Sequence, residues 1–85
     1  MNMERWLIVL RLKLIEARKS RDSRSLQELS TVFTLLEENA IEEKCHLSFI
    51  EVIIDLGYAA RDQSRKTEWA NIIPSEEKIR EAISH

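Results

Sequence analysis

A chain of 85 residues with a formal charge of −2 has room for a single domain, residues 1–85, with only a thin core. A chain of this size buries about 60–65% of its unfolded surface. One glycine, one proline and 33% charged residues are the composition of nearly continuous helix, and the single cysteine, Cys45, excludes an internal disulfide. A phosphate loop needs several glycines to bring backbone amides close to the anion, and one glycine cannot make one.

Charge is unevenly spread: residues 1–25 carry seven basic and three acidic side chains, and residues 26–62 carry two basic and eight acidic. The simplest use of that asymmetry is mutual screening of segments packed side by side; two binding surfaces of opposite sign are the other. Between Trp6 and Ile15 only Arg11 and Lys13 are not apolar. This run is about half the roughly 20 residues a membrane-spanning helix needs, and no small-residue cleavage site follows it. The expected location is the cytoplasm, away from membranes.

Helix 1 is expected from about residue 2 to residue 20. Met3, Leu7, Leu10, Leu14 and Ala17 form one stripe at helical spacing, and Ile8, Leu12 and Ile15 form a second beside it. Trp6 and Val9 widen the first. The alternation from Leu10 to Leu14 also fits a strand, but unbranched leucines followed by Glu16-Ala17-Arg18-Lys19 favour helix. Residues 20–25 are polar and break it. Ser25 and Glu28 have capping-box spacing for helix 2, whose inward face is Leu26, Leu29, Val32, Phe33, Leu36 and Ala40. Its end falls between residues 39 and 46.

Ser48 and Glu51 repeat the capping-box spacing, with Leu47 and Val52 placed as a hydrophobic staple for helix 3. That helix is apolar on most sides, only Glu51, Asp55 and Asp62 making a polar strip, so it is assigned the centre of the bundle. It is expected to run through Gly57 to about residue 66. Pro74 stops whatever precedes it. A short last helix starts at Pro74 or Ser75, with Glu76 and Glu77 in its first turn and a narrow stripe of Ile79, Ala82 and Ile83. The expected fold is therefore an all-α, small four-helix bundle with a short last helix and helix 3 central. Whether residues 67–85 dock on that core is left open by their pattern.

Groups that could carry catalysis are few. Cys45 and His46 are adjacent in sequence, so their side chains diverge on a helix and do not make a nucleophile–base pair. Cys45 reads as a small buried residue and His46 as a polar residue at a helix end. Glu42 and His46 share an i,i+4 face, too few ligands for a metal, so no metal and no cofactor are expected. Glu37, Glu38, Glu42 and Glu43 read as a solvated acidic face, and the chain as not an enzyme.

The function expected is a non-enzymatic protein–protein interaction module: a small regulator, inhibitor or chaperone-like adaptor that occupies a partner protein's surface. Its contact residues are taken as Trp6, Ile8, Leu12, Ile15, Arg18, Arg21 and Arg24. Helix 1 carries two apolar stripes and a bundle needs one, so a homodimer with helix 1 at its interface is expected as well, the competing account being that the tail around Trp69, Ile72, Ile73 and Ile79 folds back over the second stripe and closes a monomer. The alternative is a nucleic-acid-binding regulator of helix–turn–helix type. It would use Arg11, Lys13, Arg18, Lys19, Arg21 and Arg24, or turn at Gly57 and present Arg61 and Arg65. Asp62, Glu68 and the overall acidity oppose a polyanion.

Overall fold

A computed structural model describes residues 3–62 and 69–84. Four helices carry the bundle, α1 (Met3–Ser20), α2 (Ser23–Glu42), α3 (Leu47–Arg61) and α5 (Glu76–Ile83), with a single-turn α4 (Trp69–Ile72) before the last. Among the described residues there is no strand. Helix α3 is central: it packs on α1, α2, α4 and α5, most extensively on α2.

The inward stripe of α1 is the one its spacing marks, with Leu7, Leu10, Leu14 and Ala17 buried and Met3 half-buried against them. Leu26, Leu29, Phe33 and Ala40 face them from α2, and Val52, Ile53, Leu56, Ala59 and Ala60 from α3. The tail docks: Ile73, Pro74, Ile79 and Ala82 are buried, and α5 packs on both α1 and α3. Arg11 lies between Ile8 and Ile15 on the surface of α1, and its Nε donates to the Pro74 carbonyl at 2.7 Å. The chain entering α5 thus runs along the side of α1 that carries the second stripe. Ile8 and Ile15 are half-buried there, while Leu12 stays exposed. At the far end of the same contact Arg80 meets Glu4 at 3.1 Å.

The α1–α2 and α2–α3 turns each replace an expected capping box. At the end of α1 Arg21 takes a left-handed conformation (φ 56°), and the Asp22 amide donates back to the Ala17 carbonyl at 2.9 Å. Lys44 does the same after α2 (φ 55°), with the Cys45 amide on the Ala40 carbonyl at 3.0 Å. This is the usual glycine arrangement for ending a helix, built here on two cations. Shortly after each closure one residue with extended ψ, Asp22 or His46, caps the following helix. Asp22 is the N-cap of α2, accepting from the Ser25 amide at 3.1 Å and the Ser25 hydroxyl at 2.7 Å. Ser25 is therefore inside α2, three residues past the actual cap, and is not the cap its spacing suggests. The Ser25 hydroxyl and amide hold the Asp22 carboxyl below its ordinary pKa. A lowered folded-state pKa stabilises above the carboxylate range, and that support is lost as pH falls through it.

His46 caps α3, its Nδ1 accepting from the Ser48 amide at 3.1 Å. The box at Ser48 and Glu51 is not the start of the helix, and Leu47 is exposed, so the staple is not formed. His46→Ala should therefore destabilise by about 1 kcal/mol, the usual loss of a cap, whereas Ser48→Ala stays within about 0.5 kcal/mol. Denaturant midpoints of the two variants check the assignment; the reverse ranking would put the cap back at Ser48.

Helix α3 ends at Arg61 with Asp62 as its C-cap, short of the expected residue 66; residues 63–68, which include Arg65, lie outside the described residues. Gly57 is buried within α3, where a Cβ would sit 3.4 Å from the Cβ of Phe33. The nearest group is the flexible Arg61 side chain, whose Nη2 would be 3.0 Å away, and Gly57 lies in continuous helix and makes no turn. Ser75 is the N-cap of α5, accepting from the Lys78 amide at 3.1 Å, with Glu76 and Glu77 in the first turn as expected.

Candidate functional site

No polar or charged side chain among the described residues is fully buried. Nor do any three of their His, Cys, Asp and Glu side chains group as metal ligands. What the surface offers instead is apolar. On α1, Trp6, Val9 and Leu12 are 45%, 43% and 50% exposed. They follow one another at i, i+3 and i+6, so they wind around the helix by about 60° per step rather than forming a straight line. Arg5, Lys13 and Glu16 are exposed beside them.

Of the residues expected to bind a partner, Trp6 and Leu12 stand on this ridge, and Arg21 and Arg24 are exposed at the α1–α2 turn. Arg24 is 3.5 Å from Glu28 one helical turn on. Ile8 and Ile15 are on the far shoulder of α1, partly covered. Arg18 has been drawn into the fold: its Nη1 donates to the Ala59 carbonyl at 2.6 Å and also to the Asp62 carbonyl. These are acceptors at the C-terminal end of α3, where a helix has carbonyls without helical partners and a cation is favoured.

The residues expected to meet nucleic acid are dispersed by the same packing. Arg11 holds Pro74, Arg18 holds the end of α3, and Arg61 donates to the Thr34 hydroxyl at 3.0 Å. Lys13 lines a cleft between α1 and α2 with Glu16, Asp22 and Glu28. Lys19 is exposed. The helix–turn–helix placement is corrected outright, because α3 is continuous through Gly57. With no turn there, no separate second helix starts to carry Arg61.

Two features escape the sequence pattern. A groove of about 410 Å³ opens among α2, α3 and α5, lined by Leu36, Ala40, Cys45, Phe49, Ile53 and Ile83 and rimmed by Asn39, Glu43 and His46. Cys45 is half-buried in it, less enclosed than its expected place in the core. Second, α3 is apolar on its outer side: Leu47, Ile54 and Tyr58 are 65%, 41% and 53% exposed. Their i, i+7, i+11 spacing could have revealed the line, but it is masked in a helix that is apolar on the inner side too. The chain matches no protein-family model, no curated protein and no solved structure.

Proposed function

We propose that the protein is a non-enzymatic protein-binding module, a small regulator, inhibitor or adaptor of the cytoplasm that acts by occupying a partner's surface. The observation that carries this reading is the ridge of Trp6, Val9 and Leu12 on α1. Exposed aromatic and aliphatic side chains on a rigid helix supply binding energy at low entropic cost, and contiguous apolar area of this kind marks interaction sites on small domains. Exposed charges of both signs border the ridge, and a polar rim is what a partner interface needs around its apolar centre.

The test compares the wild type with Leu12→Glu, a change at an exposed position that leaves the inward stripe intact. Affinity capture from the source cell is expected to retain a protein with the wild type and lose it with Leu12→Glu, at equal helicity by circular dichroism. Equal capture by both, together with steeply salt-dependent retention of the wild type on heparin, would overturn the reading in favour of nucleic acid.

A further inference from the structure

The outer side of α3 carries Leu47, Glu51, Ile54, Tyr58 and Arg61 at 4-3-4-3 spacing, the seam of a helix that pairs with another helix. All five are exposed and lie within about 80° of one another around the helix. Ile50, half-buried, lies beside the line.

The order of these residues says what would fit the seam. In an isologous pair related by a two-fold axis, residue i of one copy faces j of the other and j faces i. For two antiparallel helices this requires every facing pair to share one midpoint. Ile54 and Tyr58 are centred on residue 56, and so are Glu51 and Arg61. One register therefore sets Ile54 of each copy against Tyr58 of the other, and flanks that apolar centre with a Glu51–Arg61 pair on either side. Among the described residues neither Glu51 nor Arg61 forms an ion pair within the chain. Among the described residues, the one side-chain hydrogen bond that either makes is the exposed one from Arg61 to the Thr34 hydroxyl. Helix α1 has a comparable line, Arg5, Val9, Leu12 and Glu16, whose facing pairs also share one midpoint, but Arg5 is already engaged within its own chain and Trp6 lies off the line.

We propose that the protein pairs with a second copy of itself through α3, antiparallel, about a two-fold axis beside residue 56. Self-association moves from α1, where the sequence alone puts it, to α3, and the α1 ridge remains for the foreign partner. The dimer rests on the same view of exposed apolar faces as binding surfaces. Its failure is nevertheless separable, because Glu51 and Arg61 lie outside the α1 ridge and do not enter the capture test.

The experiment is sedimentation equilibrium of the full chain at micromolar concentrations, with Glu51→Arg, Arg61→Glu and the double reversal. Each single reversal sets like charges against each other at both symmetry-related positions, and weakens the dimer by about tenfold or more. The double variant restores opposite charges in the same register and recovers the wild-type mass distribution. Tyr58→Ala, which leaves the charges alone, also weakens the dimer, and circular dichroism confirms that each variant keeps its helicity. A wild-type mass near the 10.0 kDa monomer at every concentration overturns the proposal. So does a dimer indifferent to both single reversals, a double variant no better than the singles, or a dimer lost with Leu12→Glu alone.

Discussion

Phe33→Ala is expected to remove most of the stability of this protein. Phe33 is 1% exposed on α2 and faces Gly57 of α3, where a Cβ would sit 3.4 Å from its own. Truncating a buried phenylalanine costs about 3–5 kcal/mol, through lost transfer energy and the cavity left behind. The whole domain has on the order of 4–13 kcal/mol to lose, taking about 0.05–0.15 kcal/mol per residue. The melting temperature should fall by roughly 15–30 °C, if a cooperative transition survives at all. Phe33→Leu keeps part of the contact and should cost less. Gly57→Leu fills the same seam from the other side, so the pair Phe33→Ala with Gly57→Leu should recover part of the loss, a coupling that only neighbouring positions show. Calorimetry of the wild type, Phe33→Ala, Phe33→Leu, Gly57→Leu and the double variant decides it, and a loss under about 1 kcal/mol for Phe33→Ala would contradict the packing of α2 on α3.

Arg18→Met is expected to destabilise by about 2 kcal/mol, although a cation on a helix of a small acidic protein looks dispensable. The guanidinium donates to carbonyls at the end of α3 from a half-buried position, so its loss removes charge-assisted bonds. Methionine keeps most of the stem, so the deficit reports the guanidinium rather than packing. Arg18→Lys should recover only part, since an ammonium is a more strongly hydrated point charge than a guanidinium and loses more on being held half-buried against the two carbonyls. The contrast lies in the same basic segment. Arg21→Ala and Arg24→Ala, at exposed positions, should change stability by no more than about 0.5 kcal/mol, as expected of a solvent-exposed i,i+4 ion pair at Arg24. Urea midpoints for the set check this, and an Arg18→Met protein as stable as Arg24→Ala would sink the structural role.

Helix content, the inward stripe of α1 and the start of α5 were legible in the residues alone, because each is a local matter. Leu7, Leu10, Leu14 and Ala17 recur at the helical period, and Pro74-Ser75 followed by two glutamates is a helix start wherever it occurs. The caps of α2 and α3 were not legible. Ser25 and Ser48 have the right spacing, but the choice among nearby polar residues follows from where the preceding helix closes. That closure is made by left-handed Arg21 and Lys44, residue types that carry no signal for it. It leaves Asp22 and His46 extended, and so they cap.

Orientation of the two most apolar helices was decided only by tertiary packing. A helix apolar over more than half its circumference offers several inward faces of similar hydrophobic energy, and its own pattern cannot rank them. In α1 the side of Ile8 and Ile15 packs partly against the core, with Arg11 on that side holding the docked tail, and Trp6, Val9 and Leu12 are left in water. In α3 the neighbours occupy the side of Val52, Ile53, Leu56 and Ala60, which turns Leu47, Ile54 and Tyr58 outward. The basic residues divide for the same reason. Whether an arginine is a binding group or a strut depends on which carbonyl lies within its reach, and for Arg11 and Arg18 that carbonyl is 63 and 41 residues further along the chain.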